Sequence, residues 1–135
     1  MESGALDDLT ARDPVGSYGR TYDGGRDRLC LIPDGGGRQY RFGAEVRIGD
    51  DENCKGSGTA RRAGDRLIFS FSGSECMIVA RYEGDRIVMP GAVDTACAAM
   101  CSDRGSLAGV SFPRTGSDAA AATRVNSTKG DRLCG

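Results

Sequence analysis

Histidine and tryptophan are absent from this chain of 135 residues, and lysine occurs only at positions 55 and 129. Without imidazole there is no Ser-His-Asp triad, no Cys-His dyad and no zinc site that uses histidine. Aromatic residues make up 6% of the chain, a poor supply for the apolar lining of a ligand pocket. The expectation is an interior filled by its own side chains. Charge of one sign is also missing, since 18 basic and 19 acidic residues leave a net charge of −1. No long-range field therefore points to nucleic acid or to an anionic membrane. No apolar run is long enough to span a bilayer. Arginine supplies 16 of the 18 basic residues, a preference we read as codon bias rather than as a binding signal.

What is abundant is glycine, at 21 residues, and cysteine, at six. Many glycines between short apolar runs fit tight turns in a β-meander and argue against a helical bundle. Cys30, Cys54, Cys76, Cys97, Cys101 and Cys134 form an even set without the paired spacing of a Cys-only zinc site or the C-x-x-C of a thiol oxidoreductase. They read as a disulfide framework. Met1 leads straight into Glu2 and Ser3, with no signal peptide visible. The cysteines nevertheless favour a periplasmic or secreted protein whose signal has been removed over a cytosolic one.

Residues 1–14 are polar, lack alternation and end at Pro14, and are expected to form a flexible arm. Residues 15–135 are expected to form one barrel domain. Turn clusters fall near residues 23–25, 34–37, 49–51, 63–65, 73–74 and 83–85, with strand-length runs between them. Residues 40–48 alternate cleanly. Tyr40, Phe42, Ala44, Val46 and Ile48 share one face, and Arg41, Gly43, Glu45 and Arg47 the wet one. Cys54, Gly56, Gly58 and Ala60 give a face of small side chains, suited to a tapered interior or a closely lying helix. Leu67, Phe69 and Phe71 form a third apolar face, and Cys76, Ile78, Ala80 and Tyr82 a fourth. The string Gly-Asp-Arg-Leu/Ile recurs at residues 64, 84 and 130, and reads as recurrent turn chemistry rather than duplication.

One short helix is expected at residues 94–102, capped by Asp94 or Thr95. Cys97 and Cys101 lie four apart on one face, and each is expected to pin that helix to a separate part of the sheet. Cys54 is expected to pair with Cys76, and Cys134 to fix the tail. Residues 110–113 and 123–126 read as late strands. The acidic run at residues 50–53 reads as a solvated turn, since it lacks the spacing of an EF-hand loop. Gly35-Gly36-Gly37 lacks the Lys-Ser/Thr pair of a phosphate loop. Asn126-Ser127-Thr128 fits a glycosylation sequon. No cofactor and no metal is expected, and paired carboxylates are the one catalytic device the sequence leaves open.

Two segments resemble known families. Gly16-Ser17-Tyr18-Gly19-Arg20, followed after a turn by Cys30-Leu31-Ile32, resembles the opening of the bacterial periplasmic metalloprotease inhibitors. Tyr18 stands where that family has Trp. The resemblance implies a small eight-stranded antiparallel barrel whose N-terminal arm enters a protease cleft. Gly56-Ser57-Gly58-Thr59-Ala60-Arg61 is similar to the loop that inhibitors of C-type lysozymes insert into the lysozyme cleft. Chance alternation of small residues is the competing account of that string. The two resemblances mark Tyr18, Arg20, Ser57, Gly58 and Arg61 as candidate binding residues.

The resulting expectation is all-β: an antiparallel meander barrel or strongly curved sheet of about seven or eight strands, with one short helix, stapled by disulfides. Its function is expected to be non-enzymatic, an inhibitor-like binding module acting on a secreted protease or lysozyme. A lipocalin-like ligand barrel and a structural envelope protein are the alternatives, and the oligomeric state stays open, with a monomer as the simplest form. Alkylation without reduction should leave the intact mass unchanged, and alkylation after reduction should modify all six cysteines. Thiols that react without reduction would return the chain to a reducing compartment.

Overall fold

The computed structural model describes residues 13–22, 25–35, 38–48, 52–102, 106–127 and 130–134. The expected arm lies outside these residues except for Asp13 and Pro14, as do residues 50 and 51 of the acidic run at residues 50–53. Eight strands follow one another: β1 (Gly16–Tyr22), β2 (Gly25–Pro33), β3 (Gln39–Ile48), β4 (Glu52–Ala63), β5 (Arg66–Phe71), β6 (Met77–Tyr82), β7 (Arg86–Val88) and β8 (Ser111–Gly116). Each is antiparallel to the next, and β8 returns to β1 to close the barrel.

The period-2 faces become the inner and outer surfaces. Tyr40, Phe42, Ala44 and Val46 of β3 point into the core, with Leu67, Phe69 and Phe71 of β5 and Ile78, Ala80 and Tyr82 of β6. Phe42 meets Phe69 and Phe71 edge to face, with ring centroids 4.8 and 4.9 Å apart. The small face of β4 makes room for this cluster. A Cβ at Gly56 would sit 2.6 Å from the Phe71 ring and 3.1 Å from the Met100 sulfur. Of the two alternatives, a tapered interior or a closely lying helix, the Met100 contact shows the helix. The Gly-Asp-Arg strings are turns, with Gly64, Gly84 and Gly130 all at positive φ.

The connection from β7 to β8 folds over one barrel end. It carries a 3₁₀ helix, Thr95–Met100, where the short helix was expected. Asp94 caps it, its carboxylate accepting from the Ala96 amide at 2.8 Å. Cys97 bonds to Cys76 and Cys101 to Cys54. The expectation that each cysteine pins the helix to a separate part of the sheet therefore holds. The expected Cys54 to Cys76 pairing does not. β5 lies between β4 and β6, and β4 runs past the last β5 pairing at Gly58 and Phe71. Cys54 is left beyond β5, where the returning connection covers it.

The second correction concerns residues 123–126, expected as a strand. After β8 the chain forms a short helix, α1 (Ala119–Thr123). Four consecutive alanines are strong helix formers, and the Asp118 carboxylate caps them by accepting from the Ala121 amide at 2.8 Å. α1 and the tail then lie on the outer face of β1 and β2. Cys30, Ile32, Ala122 and Cys134 are buried there, with Val125 and Leu133 partly buried, as a second apolar cluster outside the barrel. This cover explains why Gly43 and Glu45, on the nominally wet face of β3, are buried. A Cβ at Gly43 would lie 2.2 Å from the Leu133 carbonyl oxygen, so glycine is needed for the tail to cross.

The Cys30–Cys134 bond holds this layer and spans a sequence separation of 104. Loop-closure entropy makes it the most stabilising of the three, because it constrains the unfolded chain over the longest loop. Cys30→Ala with Cys134→Ala should lower stability by roughly 4 kcal/mol in urea unfolding followed by circular dichroism. A loss below about 1 kcal/mol would mean that the tail adds little to the fold.

Candidate functional site

The candidate residues fall in three places. Tyr18 is 2% exposed and lies inside the barrel. Its hydroxyl donates to the Pro14 carbonyl at 2.6 Å, and the Arg114 guanidinium stands 5.0 Å from its ring centroid. Arg114 in turn donates to the carbonyls of Asp13, Val15 and Gly84 and to the Tyr82 hydroxyl, at 2.7 to 3.3 Å. Tyr40 and Arg62 complete this barrel end, Arg62 stacking 5.0 Å from the Tyr82 ring. These groups close the end and leave Tyr18 no surface for a partner.

Ser57, Gly58 and Arg61 lie on β4. The resemblance to a lysozyme-inhibitor loop implies that this segment projects from a loop. Here residues 58–61 are the middle of a strand, paired with β3 on one side and β5 on the other. Gly58 faces inward against β5, where a Cβ would meet the Ser70 carbonyl oxygen at 2.0 Å. Ser57 and Arg61 are exposed and point outward.

Arg61 sits in an ordered outer face. One cross-strand row runs Gln39, Arg61, Ile68, Val79, and the next runs Arg41, Thr59, Ser70, Met77. Met77 and Val79 are 56% and 49% exposed, the large apolar side chains that the described surface leaves in water. A shallow depression of 370 Å³ runs among Arg61, Ile68, Met77 and Val79. Arg66 and Arg81 border the strip with acidic neighbours, Asp65 and Glu83, at 3.1 and 3.2 Å. Arg41 and Arg61 have no carboxylate within salt-bridge distance among the described residues. The strip is therefore apolar at its centre and positive at one margin.

Arg20 stands apart from it on β1. Its Nε donates to the buried Asp27 carboxylate at 3.2 Å, and half of its side chain is exposed.

Comparison with family models, curated proteins and solved structures finds no match. The chemistry of the surface must therefore carry the functional reading. Among the described residues, no three His, Cys, Asp or Glu side chains are grouped to hold a metal, and no helix is long and apolar enough to cross a membrane. The three disulfides fit an oxidising extracellular or periplasmic environment.

Sequence reasoning found Ser57 and Arg61 but missed Ile68, Met77 and Val79. The signal was present. Alternation that turns Leu67, Phe69, Ile78 and Ala80 inward must turn Ile68, Met77 and Val79 outward. Only the strand order and register show that these apolar exceptions meet in one patch.

At the closed barrel end, Tyr40 keeps its proton above the usual tyrosine value of 10.0, first through burial and then through the Asp13 charge, against the pull of Arg62. The folded value exceeds the unfolded one. Its contribution is complete below the unfolded value and is lost as pH rises through the folded one. Urea titrations across this range should therefore show wild-type stability falling above pH 10 more steeply than that of Tyr40→Phe. Parallel curves would mean that Tyr40 ionises as freely in the folded chain as in the unfolded one.

Proposed function

We propose that this protein is a non-enzymatic binding module of a secreted or periplasmic compartment, and that the outward face of β4, β5 and β6 caps a hydrolase cleft. The observation that carries this reading is the strip of exposed Met77 and Val79 with half-buried Ile68, and Arg41 and Arg61 at its margin. Apolar side chains that adjoin on a rigid sheet mark an interaction surface more often than singly scattered ones do. An apolar centre with a charged margin is also the usual anatomy of a protein interface. Hydrolase clefts that work with paired carboxylates are acidic, and the Arg41 and Arg61 guanidinium groups complement them. The packed aromatic interior favours this outward reading over an internal ligand.

The test is inhibition and direct binding with two purified targets, a C-type lysozyme and a secreted metalloprotease. One of them should bind with a Kd of about 1 μM or tighter, worth roughly 8 kcal/mol. Met77→Glu with Val79→Glu should weaken that affinity at least tenfold (~1.4 kcal/mol), and Arg61→Glu should weaken it as well. Both side chains are exposed, so the thermal midpoint should hold. If neither hydrolase binds, or if the substitutions leave binding unchanged, the reading falls.

A further inference from the structure

On the far side of the molecule from the docking strip, the outer face of the β1–β2 hairpin and the C-terminal tail enclose an open groove of 640 Å³. Gly19 and Thr21 of β1, Arg26 and Arg28 of β2, and Arg124 and Asn126 of the tail line it. Its size falls within the range of organic ligands, well above a bare ion. The lining is mixed. Guanidinium groups, hydroxyls and an amide share it with Tyr18, Val125 and Asp27, whose carboxylate Arg20 engages.

Charge is concentrated there beyond what local pairing neutralises. Arg28 is turned toward the tail, donating to the Asn126 carbonyl and lying 3.9 Å from the buried Glu45 carboxylate. Arg20 is engaged with Asp27, whose carboxylate is buried. Arg26 and Arg124 are both exposed, and neither has a carboxylate within salt-bridge distance among the described residues. The wall itself is fixed. The Ser127 amide donates to the Asp131 carbonyl at 2.6 Å, the Leu133 amide donates to the Val125 carbonyl at 3.0 Å, and Cys134 is bonded to Cys30. The arginines on the two walls are thus held facing one volume, not scattered on mobile loops.

We propose that this groove binds an oxyanion carried on a small hydroxylated molecule, the common chemistry of a sugar phosphate and a sugar acid. Arg26 and Arg124 grip the anion from opposite walls, since guanidinium groups match phosphate and carboxylate in a bidentate fork. Thr21 and Asn126 meet the hydroxyls. The proposal is independent of the docking strip and of its hydrolase partner.

The test is calorimetric and NMR titration of the full chain with glucose 6-phosphate, glucuronate, glucose and inorganic phosphate. Glucose 6-phosphate or glucuronate should bind at sub-millimolar concentration and shift the amides of β1, β2 and residues 124–127. Glucose should not bind, and inorganic phosphate should bind at least tenfold more weakly. Arg26→Gln with Arg124→Gln should reduce the affinity at least tenfold without changing the thermal midpoint, whereas Arg61→Gln on the docking strip should leave it unchanged. Titration with both sugars giving no binding would overturn the proposal. So would equal affinity for inorganic phosphate, or indifference to the double substitution.

Discussion

Closure of β8 onto β1 rests on two register pairs, Ser17 with Gly116 and Tyr18 with Arg114, where β3 and β4 pair along nearly their full length. The seam also carries a register shift between Ser17 and Tyr18, and Arg114 adds side-chain ties across it. Its guanidinium fork reaches the carbonyls of Asp13 and Val15 before β1, the Gly84 carbonyl in the β6–β7 turn and the Tyr82 hydroxyl of β6. One planar group with five donors is suited to tie several carbonyls at once, and a lysine could not replace it. The Tyr18 ring beneath it is spent on the same closure. The barrel end therefore doubles as the anchor of residues 13–15.

The disulfides act where hydrogen bonding is thin. Two of them fasten the long β7–β8 connection onto the opposite barrel end, through Cys76 and Cys54. The third fastens the tail to the outer face of β2. Neither the connection nor the tail has strands enough to hold itself, and a covalent tie replaces the missing ladder. Small secreted domains commonly compensate a modest core in this way.

The arginines, read first as codon bias, are not distributed without effect. Arg114 closes the seam, Arg61 and Arg41 edge an apolar strip, and Arg26 and Arg124 face each other across a groove. A near-neutral total charge conceals these local concentrations, because net charge describes the far field and not the surface at contact distance. The apolar strip and the groove sit on the outside of the same sheet, one on bare strands and the other where the tail builds a second wall.

The sequence by itself determined the all-β meander, its inner faces and the outward direction of Ile68, Met77 and Val79, because the two-residue side-chain period is local. It also determined the turns at Gly64 and Gly84 and narrowed the helix cap to Asp94 or Thr95, of which the fold uses Asp94. The α1 helix was legible too, in Asp118 and four alanines, although the β-branched Thr123 and Val125 drew that segment toward a strand reading. What only the tertiary structure decided were contacts between elements distant in sequence. These include the partners of Cys54 and Cys76, the burial of Glu45 and Gly43 under the tail, the withdrawal of Tyr18 into the core, and the placing of Arg26 and Arg124 on one groove. Alternation fixes which way a side chain points, but not which distant segment crosses over it. That depends on barrel closure and on the path of the chain beyond β8.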